Sequence, residues 1–227
     1  MRRLLAAALT GALALTIAGP ASAQSTPADG TATVVHAVPG LTVDVFVNGG
    51  RFLTNFKPGT VAGPVSLPGD TQYDVAIFAD GAIDDSVQQQ PSGVLPAIAG
   101  SAFLPAGADV SLVAGLLGDG TPNLFVFVND VSPTDPSKSR VAVRHVAAAG
   151  TVDGWINLAR IRNIDNGEDA VAQVRSGWKL IWASAPGRLK PIIGPVVAKL
   201  ASGDLYQVYA WGTANSGFRF LIVPRDL

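Results

Sequence analysis

The chain has 227 residues, with 16 basic and 17 acidic side chains, a formal net charge of −1 and no cysteine. So even a balance gives no electrostatic ground for binding nucleic acid or an anionic membrane surface. Without cysteine there are no disulfides, no thiolate metal sites and no lipidated cysteine, so the fold must be held by core burial alone.

In chain order, residues 1–23 read as a secretory signal peptide. Arg2 and Arg3 form a basic start, Leu4 to Ala18 is almost wholly apolar, and Ala21-Ser22-Ala23 supplies small residues at a cleavage site. The arginine pair lacks the flanking residues of a twin-arginine leader. Cleavage after Ala23 leaves 14 basic against 17 acidic residues, a net charge of −3. No later run reaches about 18 apolar residues, so the mature chain is expected to lack a transmembrane segment. The expected location is the cell envelope or the medium.

Beyond a short extension at 24–30, apolar residues alternate with polar or small ones. Val43, Val45 and Val47 share a face; so do Tyr73, Val75 and Ile77, and Val110, Leu112 and Ala114. Period two over short runs predicts strands. Between them stand turn formers such as Asn48-Gly49-Gly50, Lys57-Pro58-Gly59 and Leu67-Pro68-Gly69-Asp70. With 25 Gly and 16 Pro and no stretch of helical periodicity, the reading is all-β.

The chain also repeats itself. HAVPGLTVDVFVN, from His36 to Asn48, returns 109 residues later as HVAAAGTVDGWIN, from His145 to Asn157. His36/His145, Asp44/Asp153 and Asn48/Asn157 fall in register, a structural signature of one unit used twice. Tyr73, Val75 and Ile77 are placed on Trp178, Leu180 and Trp182 at a shift of 105. Leu104, Gly107 and Val110 are placed on Leu200, Gly203 and Tyr206 at a shift of 96. The prediction is a first unit at 31–130, a Pro/Ser linker at 131–139 and a second unit at 140–227. About seven short strands per unit is the pattern of an antiparallel β-sandwich, with a closed barrel as the alternative.

The string Val34-Val35-His36-Ala37 through Val43-Asp44-Val45-Phe46-Val47-Asn48-Gly49, with the later Leu67-Pro68-Gly69-Asp70-Thr71-Gln72-Tyr73, resembles a bacterial exported family, domain-of-unknown-function family 4397. The resemblance implies tandem immunoglobulin-like β-sandwich units on exported proteins and no established catalytic activity. Where that family carries an acidic Ser-Pro-Asp-Ala-Pro turn, this chain has Val38-Pro39-Gly40-Leu41, and Ala147-Ala148-Ala149-Gly150 in the second copy, so any role of that carboxylate is absent.

Chemistry-bearing motifs are few. The only histidines are His36 and His145. Paired with Asp44 or Asp153, either could be an acid–base couple; the alternative is a strand histidine that satisfies backbone groups of the next turn. No Gly-x-Ser-x-Gly elbow, phosphate loop or metal-ligand His spacing occurs, so no cofactor is expected. Two acidic loops, Asp80 to Asp85 and Asp165 to Asp169, gather oxygen ligands without calcium-loop spacing; of these, Asp165, Glu168 and Asp169 are the better calcium candidates. All four tryptophans lie in the second unit. Trp178 and Trp182 replace predicted core residues, whereas Trp211 stands opposite Gly115. Trp211, with Tyr209 on the same face, is therefore the candidate for surface binding. The function expected is a non-catalytic scaffold or adhesion module whose partner is a surface protein or glycan. Glycan binding by the Trp-rich unit is the alternative, and a histidine-based hydrolase ranks last.

Overall fold

The computed structural model describes residues 26–227, and the predicted signal peptide at 1–23 lies outside them. The first eight strands are β1 (Gly30–His36), β2 (Val43–Val47), β3 (Gly50–Phe56), β4 (Val61–Leu67), β5 (Thr71–Ala79), β6 (Ile98–Leu104), β7 (Asp109–Leu116) and β8 (Pro122–Asn129). The next eight are β9 (Lys138–His145), β10 (Val152–Ile156), β11 (Ala159–Ile164), β12 (Asp169–Arg175), β13 (Gly177–Ser184), β14 (Pro191–Leu200), β15 (Leu205–Thr213) and β16 (Gly217–Arg225). Strands β1–β8 form two four-stranded sheets, ordered β4-β1-β7-β8 and β3-β2-β5-β6. Strands β9–β16 repeat that order as β12-β9-β15-β16 and β11-β10-β13-β14. The fold is all-β and sandwich-like, and no sheet closes into a barrel. Each half has one strand more than the periodicity indicated. One neighbouring pair in each half, β1–β7 and β9–β15, runs parallel within otherwise antiparallel sheets.

Each half buries its own core, as alternation along the strands requires. In the first, Val45, Tyr73, Val75, Ile77, Val110 and Leu112 point between the two sheets. In the second, Val141, Val143, Ile156, Ile181, Ile193 and Val208 do so. A third cluster joins the halves. Val35, Val113, Phe125 and Phe127 of the first pack against Val146, Tyr209 and Trp211 of the second. The sheets holding β1 and β9 therefore face each other, and the sheets holding β2 and β10 lie outermost.

The pairing register revises one predicted equivalence. Val45 pairs with Ile77, and its counterpart Gly154 pairs with Ala183, so Ile77 corresponds to Ala183 and Tyr73 to Lys179, a shift of 106 rather than 105. Because side chains alternate across a strand, a slip of one residue moves a whole set to the other face. Lys179, Ile181 and Ala183 point inward, and Trp178, Leu180 and Trp182 point outward. Lys179 fills the place of Tyr73 with its aliphatic stem. Its ammonium donates to the Ser176 carbonyl at 3.1 Å, much as the Tyr73 hydroxyl donates to Pro68 at 2.9 Å.

Candidate functional site

The two histidines are fully buried at the ends of β1 and β9, in matching surroundings. His36 Nε2 lies 2.6 Å from the Leu41 carbonyl, and the Val38 N–H donates to His36 Nδ1 at 3.4 Å. His145 makes the same pair of contacts, with the Gly150 carbonyl at 2.9 Å and the Ala147 N–H at 3.4 Å. A carbonyl can only accept and an amide can only donate, so each ring is the neutral tautomer protonated on Nε2. Burial pushes both imidazoles below their ordinary pKa, against the opposing pull of the neighbouring carbonyls.

The aspartates of the signature serve a different contact. Asp44 accepts from Arg51 Nη1 at 2.6 Å and from the Asn55 N–H at 3.0 Å. Asp153 accepts from Arg160 Nε at 3.0 Å, the Asn163 N–H at 3.0 Å and the Gly187 N–H at 2.7 Å. Burial raises the Asp153 carboxyl, but the Asn163 and Gly187 amides and the Arg160 guanidinium together outweigh it and hold the group below the usual carboxylate range. The structure does not bring His and Asp together as an acid–base couple: their hydrogen bonds run to separate partners. Asn48 and Asn157 take positive φ at the hairpin tips, and their Oδ1 atoms accept from the Asp74 and Leu180 amides at 2.9 and 2.8 Å. The signature is thus a set of clamps for three turns. Arg51 and Arg160 were missed in the sequence, although they too are 109 residues apart.

Asp165, Glu168 and Asp169 do not converge on a point. Asp165 accepts from the Thr151 hydroxyl, Glu168 Oε2 from the Asp165 N–H at 3.2 Å, and Asp169 faces Arg144 Nε at 3.7 Å. Among the described residues, the one cluster of three ligand-bearing groups is Asp44, Asp80 and Asp85, within 4.8 Å of one another. Arg51 already lies against Asp44 and, at 3.8 Å, against Asp85, so one of the three negative charges is answered within the fold.

Tyr209 and Trp211, the residues expected at the surface, are instead 0% and 6% exposed. They lie in the junction between the halves. The Trp211 ring rests 3.2 Å from where a Cβ on Gly59 would be, and Phe125 makes the reciprocal approach to Gly167 at 3.1 Å. A Cβ on Gly115 would meet Val146 at 2.8 Å, which explains why the position equivalent to Trp211 is a glycine. Around Tyr209 the junction is polar. Arg144, 1% exposed, donates to the Tyr209 hydroxyl at 2.9 Å, to Ser111 at 3.1 Å and to Asn129 at 2.6 Å. The Tyr209 hydroxyl donates onward to Gln207 at 3.1 Å, and burial raises its pKa. Asn166 ties the edge, donating to the Leu116 and Ala147 carbonyls at 2.9 and 2.7 Å.

The exposed aromatic surface is the outer face of β10–β13–β14. Trp155 and Trp182 pair across strands with rings stacked at 4.6 Å and 3°. Trp178 is 67% exposed and Val197 66%, and Leu180, paired with Val197, is also exposed. The matching face of the first half is covered over part of its length. There, residues 80–97 cross the sheet, and Ile83, Val87 and Val94 pack on Phe46, Ala76 and Phe78. Arg51 holds this strap through the Val87 and Asp84 carbonyls at 2.7 and 2.8 Å. In the second half only 185–190 join β13 to β14, and the face stays open. The first-half counterparts of Trp178 and Leu180 are Gln72 and Asp74, both polar and exposed.

Charge separates in the same way. Residues 58–137 hold nine aspartates and no Lys or Arg, whereas residues 170–203 hold Arg175, Lys179, Arg188, Lys190 and Lys199 and no acidic residue. The near-zero total conceals this segregation, which a tally by halves would have found. Lys199 pairs with Trp178 across β13 and β14, Arg160 lies over the Trp155 ring at 5.6 Å, and Arg188 and Lys190 are exposed in the short loop at the far end of β13.

The class is thus an all-β protein of duplicated sandwich-like units, with one aromatic and cationic sheet face left bare. A family model, Domain of unknown function (DUF4397), matches residues 30–155, which take in all of β1–β9 and reach into β10. The chain belongs to that family. No curated protein matches it. Among solved structures it is similar to one titled "The Bacillus anthracis TIE protein", at 10% identity and a TM-score of 0.25, over 82% of this chain and 34% of that one. The chain therefore spans about a third of that structure's length, and at that score the likeness says nothing of role. Among the described residues no helix is long and apolar enough to cross a membrane.

Proposed function

We propose that this protein is an exported, non-catalytic interaction module of the cell envelope or medium, which attaches through the open outer face of its second unit. One observation carries the reading: Trp178, Leu180 and Val197 stand bare where the first unit has the polar Gln72, Asp74 and Ser101, and the strap that covers the rest of the first unit's matching face has no equivalent here. Contiguous exposed apolar surface on a soluble domain marks a contact site, and exposed aromatics contribute most to such contacts. Clamping of the signature residues into turns supports a scaffold role for them over a catalytic one. The joined halves make the module stiff, so that attachment at one end positions the other.

Co-sedimentation of the labelled protein with isolated bacterial cell envelopes tests this. Trp178→Ala with Leu180→Ala should weaken retention by roughly tenfold or more, with the melting temperature unchanged. Retention indifferent to both substitutions would remove the face from the function.

A further inference from the structure

Whatever occupies this face has to match both an apolar stripe and a cationic border. The stripe follows β13 from Trp178 towards Ser184, a run of about 20 Å at ~3.3 Å per residue. Trp178 and Leu180 are flanked by Val197 on β14, and the Trp155–Trp182 stack closes the other side. Lys199 stands at one end, Arg188 and Lys190 at the other, and no carboxylate lies within residues 170–203 to neutralise them. Asp153, the acidic residue beneath, is buried and already bonded to Arg160.

We propose that this face binds an acidic polysaccharide, a carboxylated glycan chain laid along β13; this rests on the interaction-face reading above. Sugar rings present C–H faces that suit the electron-rich face of an indole. Ring carboxylates supply the negative charge that Lys199 at one end and Arg188 and Lys190 at the other call for, and that charge complementarity sets specificity and capture rate more than raw affinity. A neutral glycan would leave the cations unanswered. A second copy of this chain could offer its acidic first half, but the strap there presents mainly polar side chains, such as Gln88, Gln89 and Gln90, and leaves the tryptophans without an apolar match.

The test is titration of the purified protein with alginate, a polyuronate, in parallel with neutral dextran, read by tryptophan fluorescence and calorimetry. Alginate is expected to shift the tryptophan emission and to bind roughly tenfold more weakly at about 0.3 M salt than at low salt, because the cations are exposed and screened. Trp178→Ala and Lys199→Glu should each weaken binding severalfold or more, while Gln72→Ala on the first unit leaves it unchanged. These positions are all exposed, so the variants keep the fold, which circular dichroism checks. Three results would each overturn the proposal: no alginate binding, dextran bound as well as alginate, or binding indifferent to Trp178. Salt-sensitive chains of the protein alone in sedimentation, abolished by Trp178→Ala, would overturn it too and assign the face to a second copy. If envelope retention depends on Trp178 while alginate is ignored, the ligand class is wrong and the interaction face stands. If retention ignores Trp178, both fall.

Discussion

At the residue scale, the buried neutral histidines make stability depend on pH in a definite direction. Their folded pKa lies below the ordinary value of 6.5. The unfolded chain therefore takes up protons first as pH falls below about 6.5, and stability declines until the folded rings titrate as well. Denaturant unfolding between pH 7.5 and 5 should show this loss, and His36→Gln with His145→Gln should flatten the slope while lowering stability at neutral pH. A slope unchanged in that double variant would show that other groups control it. Asp44→Ala leaves the buried Arg51 without its close charge partner, with only the exposed Asp85 at 3.8 Å, and should cost about 3 kcal/mol. The same variant should open residues 80–97 to limited proteolysis, since Arg51 anchors that strap. The His, Asp and Asn positions were legible because the repeat preserves them without a gap. Their work as clamps was not, since it depends on carbonyls and amides that pattern reading does not place.

At the scale of elements, the tryptophans separate two roles that composition merges. Trp211→Ala should cost about 3–5 kcal/mol, as expected for a large aromatic removed from a packed junction. Trp178→Ala should fall within about 0.5 kcal/mol of the parent, as for a surface change away from special features. Chemical denaturation of both variants checks the contrast; equal losses would contradict the register of β13. Sequence reading reversed these two residues for identifiable reasons. Matching aromatic to aromatic placed Trp178 on Tyr73, whereas the inward position is held by Lys179, a residue whose buried stem no hydropathy pattern reveals. Alternation on β15 did show Tyr209 and Trp211 sharing a face. What covers that face is the other half of the molecule, a fact of tertiary packing and not of period. The loop between β5 and β6 stood out in the sequence only for its acidic residues from Asp80 to Asp85, and its use as a lid for Phe46 and Phe78 was not legible.

At the scale of the whole molecule, two cores and an apolar junction should unfold as one. Calorimetry is expected to give a single transition for the parent chain and two for Trp211→Ala, in which the junction is weakened and the halves melt separately. A double transition in the parent would mean that the junction contributes little. The duplication was the most legible feature of the chain, and the sheet orders bear it out strand for strand. The face-to-face stacking of the halves left no trace in the pattern beyond the surplus of apolar residues on both faces of β1, β7, β9 and β15.

That stacking sends the two outermost sheets to opposite poles, and the poles differ in sign: residues 31–130 hold nine acidic and two basic side chains, residues 140–227 six acidic and eleven basic. The molecule is thus an electric dipole directed along its long axis. Beside a negatively charged wall it would experience a torque as well as an attraction, turning its second unit inward before any contact forms. A layer of such molecules would all point the same way, with their acidic ends outward, and added salt would randomise the layer before dissolving it.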